Sequence, residues 1–184
     1  QIHITMLEAA NQHLLAFISG PDYWFYHGWG LTICWVLLAF FGILIRKLLR
    51  GTWSKYIHIF FFILVDYTAC FLELTALYRV WPRIANGTFM EWSLLKNLHV
   101  FLGLVSCAWT IYQHLVGVAL HYLGKFKWAH ITSGKLLFIL SRIVVVLGWL
   151  ITKNYTVAAV TTVAILATFA ILKAVKKPEK VKAS

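Results

Sequence analysis

The sequence predicts an all-α integral membrane protein built as a five-helix bundle. Hydrophobic residues make up 61% of the 184 residues and charged residues only 12%, whereas soluble domains average about 45–50% and about 25%. This composition excludes an ordinary soluble domain, intrinsic disorder and a small disulfide-stapled scaffold. Crossing a bilayer as a helix takes about 20 mostly apolar residues. Five stretches meet this requirement: 24–45, 56–78, 93–120, 128–151 and 155–174.

Short connections separate the five stretches and contain nine of the 23 charged residues. Such short connections join neighbouring antiparallel helices, so the pattern predicts five consecutive crossings of the membrane. The connections lie at 46–55, 78–89, 124–128 and 152–154.

The chain divides into three predicted parts. Residues 1–23 form an extracellular or lumenal lead-in that we expect to be amphipathic or irregular. Residues 24–175 form the membrane domain, and residues 176–184 form a basic cytosolic tail. The chain begins at Gln1 without the pattern of a signal peptide, so we expect further sequence or an N-terminal domain to precede it.

The distribution of Lys and Arg predicts the orientation in the membrane. Positive residues are concentrated on the cytoplasmic side of membrane proteins, which places the N-terminus outside and the C-terminus in the cytosol. Both N-x-T sequons, at Asn86 and Asn154, fall in connections assigned to the outside. The net charge of +11 is therefore a topology signal, and we expect no nucleic-acid partner. Four Lys and Arg fall on the outer side and eleven on the inner side, namely Arg46, Lys47, Arg50, Lys55, Lys125, Lys127, Lys173, Lys176, Lys177, Lys180 and Lys182.

Four of the eight histidines fall at two matched depths of the predicted bundle. His27 and His99 lie near the outer ends of the first and third helices, whereas His58 and His130 lie at the inner ends of the second and fourth. A haem iron with two imidazole ligands needs histidines from two facing helices at equal depth. The pattern therefore predicts a four-helix di-haem core with two haems b, one held by each pair. For any single histidine the alternative is a polar contact that joins two helices.

Two glycines and one lysine lie close to the predicted ligands. The segments HVFLG (99–103) and HITSG (130–134) each place a glycine one turn after a histidine. Gly103 and Gly134 lack the side chain that would otherwise strike the porphyrin. Lys135 is expected either to extend to the cytosol along the helix or to contact a propionate of the inner haem.

Three further ionisable side chains fall inside the predicted helices. Asp66 and Glu73 share a face of the second helix, and Arg142 of the fourth lies between them in depth. Because unpaired charge is costly in a membrane, one expectation is an ion pair between Arg142 and one of these carboxylates. The other is that Arg142 supports the outer haem or its propionates.

Two histidines of the third helix compete for the inner site. His99 and His114 lie fifteen residues apart, a spacing that resembles the two-haem arrangement of respiratory cytochromes b. That arrangement needs a second helix with two similarly spaced histidines, which the sequence lacks. We expect His114 and His121 to lie beside the site or at the membrane edge, and His114 remains the alternative inner ligand.

The segments around the four histidines resemble the haem-ligand segments of the cytochrome b561 family. The closest branch is the ferric-chelate reductase type, whose membrane core follows an extracellular DOMON domain. The resemblance covers about residues 24–175 and depends on the order and flanks of the histidines. The segments are YHGWGLTICW (26–35), KYIHIFFFIL (55–64), NLHVFLGLVSCAW (97–109) and FKWAHITSGKLLFILSR (126–142).

The resemblance implies that His27 and His99 hold the outer haem, and His58 and His130 the inner one. In the family, electrons pass from a cytosolic donor, typically ascorbate, to an acceptor outside, such as a ferric chelate. This sequence departs from the family in two respects. It contains no DOMON domain before the bundle, and it lacks the Arg-rich cytosolic motif of the ascorbate-dependent six-helix branch.

The sequence thus predicts an oxidoreductase of a plasma membrane or endomembrane that moves electrons across the lipid bilayer. At the cytosolic face, Lys55 and Lys127 each lie three residues before an inner histidine, where they would attract an anionic donor. One alternative is a haem-bearing structural subunit of a larger assembly with partner subunits. The other is a haem-free proton or ion transporter that uses the histidines, Asp66, Glu73 and Arg142.

Overall fold

The computed structural model describes residues 2–49 and 51–175, and it describes side chains from residue 8 onward within those ranges. Helix accounts for 90% of this part of the chain, which contains no strand. The predicted cytosolic tail at 176–184 and Arg50 lie outside the described residues. Arg50 belongs to the predicted basic rim of the cytosolic side, which comprises Arg46, Lys47, Arg50, Lys55, Lys125 and Lys127.

Seven α-helices follow one another along the described part of the chain. Their bounds are α1 Ile2–Ser19, α2 Tyr23–Thr32, α3 Ala39–Leu48, α4 Thr52–Ala85, α5 Leu94–Leu123, α6 Lys127–Ile151 and α7 Tyr155–Ala174. A π-helical turn, Ile33–Leu38, joins α2 to α3 in one continuous helix, and a 3₁₀ turn, Thr88–Glu91, follows α4.

Five of the resulting helices are long and apolar enough to cross a membrane, which confirms the predicted number of spans. They begin and end within a few residues of the predicted limits, with one exception described below. They are Tyr23–Leu48, Thr52–Ala85, Leu94–Leu123, Lys127–Ile151 and Tyr155–Ala174.

Local capping explains where several spans begin and end. The Ser93 hydroxyl accepts a hydrogen bond from the backbone N–H of Lys96 at the start of α5, and Asn154 does the same for Val157 at the start of α7. Gly124 ends α5 with a φ of 67°, a left-handed conformation that glycine adopts without steric cost.

The predicted connection at 78–89 is wrong in its first half, because α4 continues to Ala85. The added turns pack against α1, a helix within the predicted lead-in. Nη1 of Arg79 donates to the carbonyls of Ile18 and Gly20, the second at 2.9 Å. This long-range contact stabilises helix in a segment whose sequence contains Pro82, a residue that normally weakens one.

Four spans form a closed ring, and the fifth lies against its outside. The α2–α3 helix contacts α4, α4 contacts α5, α5 packs along α6, and α6 returns to α2. Helix α7 packs on α6 and on the π-helical turn. The interior is filled by buried residues such as Trp35, Val65, Ala69 and Phe138, whereas many large apolar side chains point outward. An outward apolar surface is what a lipid environment requires.

Candidate functional site

His27 of α2 and His99 of α5 line the same cavity at the predicted outer end of the ring. This outer cavity has a volume of about 470 Å³ and lies between α2, α4, α5 and α6. The helical register on α2 and α5 brings two predicted ligands to one space from two different helices. The two predicted ligands of the outer haem thus share one cavity.

The backbone holds both outer imidazoles through Nδ1. Nδ1 of His27 lies 3.2 Å from the Leu72 carbonyl oxygen, and Nδ1 of His99 lies 3.0 Å from the Val144 carbonyl oxygen. A carbonyl can only accept a hydrogen bond, so Nδ1 must bear the proton and Nε2 is left with its lone pair. That tautomer is the one a neutral histidine needs in order to bind a metal through Nε2.

Glycines make room for the rings around the outer cavity. A Cβ on Gly148 of α6 would lie 3.0 Å from Cε1 of His99, and one on Gly28 would lie 3.1 Å from the Trp149 ring. A Cβ on Gly103, which lines the cavity, would have its nearest neighbour 3.9 Å away on Val144. Gly148 and Gly28 therefore leave the room that the histidine and tryptophan rings occupy, whereas Gly103 leaves space in the cavity itself.

Charged groups line the outer cavity as well. Arg79, Arg83 and Lys96 contribute to its wall, and so does Glu73, whose Oε2 atom is buried and has no hydrogen-bond partner among the described residues. Three cations beside an apolar cavity match the needs of a ligand with an apolar body and anionic substituents. Arg79 is also held by its carbonyl contacts and by the rings of Tyr23 and Trp24, at 5.3 and 5.4 Å.

At the predicted inner end, His58 of α4 and His130 of α6 face each other. Their ring centroids are 6.5 Å apart and the ring planes are nearly perpendicular, at 84°. Nδ1 of His58 lies 3.0 Å from the Gly42 carbonyl oxygen, so its Nε2 is free in the same way as in the outer pair. The structure therefore brings both predicted pairs together.

His130 differs from the other three because a side chain contacts its Nδ1. The amide nitrogen of Gln113 lies 2.9 Å from Nδ1 and 3.0 Å from the backbone oxygen of His130. Gly134 leaves room for this amide, because a Cβ at that position would lie only 2.9 Å from the Gln113 nitrogen. Sequence reasoning missed Gln113; the signal that could have found it was a polar amide within an apolar span.

The basic residues at the predicted inner end do not share one role. Nη1 of Arg46 donates to Ser54 at 3.1 Å, and Nζ of Lys47 donates to the carbonyl oxygens of Leu172 and Val175 at the end of α7. These two cations thus join helices. Lys55 is half-buried and Lys127 is exposed, which leaves them as the rim residues nearest to the inner histidines in sequence.

The predicted ion pair of Arg142 with Asp66 or Glu73 is wrong for the described side chains. Asp66 instead contacts His114, with 3.0 Å between Oδ2 and Nδ1. Arg142 is 2% exposed, donates to the Phe138 carbonyl oxygen at 2.9 Å, and leaves Nε and Nη2 without partners in residues 8–49 and 51–175. Its guanidinium lies over the Phe138 ring and 5.9 Å from the Phe169 ring of α7. The side chain faces another helix, and Arg142 is not among the residues that line the outer cavity.

The remaining predicted residues lie around the inner level. The side chain of Lys135 on α6 is exposed. His121 packs beside Tyr56 and Tyr122, with ring centroids 6.3 and 4.7 Å away. His114 is bound to Asp66 through Nδ1, as expected for a residue beside the site.

No family model, curated protein or solved structure matches the chain. Within residues 2–49 and 51–175, no three His, Cys, Asp or Glu side chains form a group that could hold a bare metal ion. A haem iron needs only axial ligands from the protein, and paired histidines supply these.

Proposed function

We propose that this chain is a cytochrome b561-type membrane protein that transfers single electrons across a bilayer with two haems b. His27 and His99 would hold the outer haem, and His58 and His130 the inner haem. The proposal rests on the resemblance of the histidine segments to that family and on the pairing of the four imidazoles in the four-helix ring.

The single observation that carries the proposal is the geometry of the inner pair. Imidazole nitrogens bind metals at about 2 Å, so two rings on opposite sides of one metal have centroids about 6 Å apart. The rings of His58 and His130 are 6.5 Å apart. No hydrogen bond links the two rings to each other, and each ring uses Nδ1 for its contact with a neighbouring helix.

The outer cavity supports a second haem. It offers two imidazoles with free Nε2 atoms, an apolar wall, open space at Gly103, and Arg79, Arg83 and Lys96 as partners for propionates. Haem b, when bound, supplies a one-electron iron couple whose potential depends on ligands, burial and nearby charge. The chain's own residues orient the imidazoles, exclude water and place cations at the cavity wall.

The separation of the two levels fits a path across the membrane. His130 and Val144, whose carbonyl holds His99, lie on the same helix and are separated by about 21 Å of helical rise. We propose that the inner level faces the cytosol, as the positive-inside pattern indicates, and takes electrons from an anionic reductant of the ascorbate class. The outer level would pass them to an extracellular or lumenal acceptor such as a ferric chelate.

A reduced-minus-oxidised optical spectrum of the purified full chain tests the proposal. We expect b-type bands with two haems per chain and reduction of both by ascorbate. Haem that ascorbate does not reduce would favour a structural subunit of a larger assembly. The assignment of an ascorbate-class electron donor would then be wrong. A chain that binds no haem would overturn the proposal.

One observation favours a different function. The Asp66–His114 contact at 3.0 Å joins two titratable groups inside the membrane ring, which is a common feature of proton pathways. A haem-free proton transporter would conduct protons in vesicles without any optical signal. Replacing Asp66 with Asn would then abolish transport, whereas in an electron carrier it should leave both haems bound.

A further inference from the structure

The four predicted ligands are held in two chemically different ways. Three have Nδ1 against a backbone carbonyl, those of Leu72, Val144 and Gly42. A backbone carbonyl is part of the helix and can only accept. The fourth ligand, His130, contacts the Gln113 side chain instead, and a side-chain amide can present either its oxygen or its NH₂ group.

The neighbours of Gln113 show which face of the amide haem binding requires. The amide is 9% exposed, and its Oε1 atom contacts the hydroxyl of Ser133. That hydroxyl also lies 2.6 Å from the Ala129 carbonyl oxygen. Ser133 has one hydrogen for two acceptors, while the Gln113 NH₂ group faces Nδ1 of His130.

A half-turn of the amide lets Nδ1–H of His130 and the Ser133 hydroxyl each donate to one acceptor, at the cost of the amide's 3.0 Å hydrogen bond to the His130 backbone oxygen. Its oxygen would then accept from Nδ1–H of His130, and its NH₂ group would donate to Ser133, whose hydrogen goes to Ala129. In this arrangement His130 has the same tautomer as the other three histidines, with Nε2 free for iron. The space that Gly134 leaves beside the amide accommodates either orientation.

We propose that Gln113 is the positioning residue of the inner haem, presenting Oε1 to Nδ1–H of His130 and thereby setting the potential of this haem apart from that of the outer one. The inference rests on the proposed function. A stronger acceptor at Nδ1 makes an imidazole a better donor to iron and favours the oxidised state, so the strength of the acceptor at position 113 controls the inner potential.

Redox titration of the full chain with two substitutions of opposite chemistry tests this. Gln113→Glu keeps an acceptor and strengthens it, and it should lower the inner midpoint potential by about 59 mV or more, which is tenfold for one electron. Gln113→Leu removes the acceptor, and it should raise the inner midpoint or weaken inner haem binding by about 10–100-fold. The outer midpoint should stay in place, and the His58→Ala variant identifies which midpoint is which.

Thr110→Val is the matched control, because Thr110 is buried on the same helix and its hydroxyl bonds within that helix, to the Ser106 carbonyl oxygen. It should leave both midpoints unchanged. Shifts of the same sign in the Glu and Leu variants, or two unmoved midpoints, would overturn the role of Gln113 while leaving the haem proposal intact. If Gln113→Leu does not fold, the direction of the shift in Gln113→Glu decides. A wild-type chain without b-type bands would overturn both proposals.

Discussion

The outer and inner levels of the ring each bring two histidines together, but the two levels are packed differently. At the outer level, His27 and His99 line a cavity with cations and a buried carboxyl oxygen in its wall. At the inner level, His58 and His130 face each other at 6.5 Å between ring centroids, with basic residues nearby in sequence. The difference indicates that the outer site depends on space and the inner site on ligand orientation.

The largest effects should come from removing single ligands. His58→Ala or His130→Ala should empty the inner site and spare the outer haem, because each iron needs its own pair. His27→Ala should do the reverse. Haem content per chain measures this, and His114→Ala is the control that should keep both haems. An inner site emptied by His114→Ala but not by His58→Ala would break the assignment.

A smaller effect should come from substituting the glycines beside His99 and His130, and the loss of haem binding should differ between the two levels. Gly148→Ala places a methyl group 3.0 Å from the His99 ring, whereas Gly117→Ala places one 3.4 Å from the His130 ring, an ordinary contact. We expect Gly148→Ala to weaken outer haem binding by about 10–100-fold, the usual cost of disturbing a ligand's support. Gly117→Ala should change inner haem binding much less. Haem titration of both variants checks the contrast, and equal losses would contradict it.

Removing the positive charges of Lys55 and Lys127 should slow the capture of an anionic electron donor and leave haem binding unchanged. Lys55 and Lys127 would attract an anionic reductant, an effect that salt screens over about 8–10 Å. The Lys55→Gln/Lys127→Gln variant should slow ascorbate reduction up to about tenfold at low salt and flatten its salt dependence. Stopped-flow rates at two ionic strengths, with the optical spectrum as control, provide the measurement. Unchanged rates would limit these residues to a topology role.

The smallest expected effects come from single cysteine substitutions that test which level of the ring faces the cytosol. In a background without the native cysteines, Asn86→Cys and Asn154→Cys should react with an impermeant thiol reagent added outside intact cells. Both positions lie at the ends of helices near the predicted outer level. Labelling that requires permeabilisation, in protein confirmed at the cell surface, would reverse the comparison and the direction of electron flow drawn from it.

Depth along a helix could be predicted from the sequence, but the direction of a side chain could not. The five spans and the two matched histidine levels follow from hydrophobic length and from the rise per residue. Arg142 faces α7, and Asp66 contacts His114 instead. Gln113 contacts His130, seventeen positions away, and Gly148 lies beside His99, forty-nine positions away. Such contacts depend on how two helices are rotated against each other. That rotation is set by packing over the whole interface.

The pairing of the four histidines is the central claim, and haem counts in double variants test it most directly. His58→Ala/His130→Ala removes both ligands of one predicted pair and should leave one haem per chain. His58→Ala/His27→Ala removes one ligand from each pair and should leave none. The counts can be made by pyridine haemochrome assay on purified, folded protein. One haem in the first variant and none in the second would support the pairing; the opposite counts would contradict it.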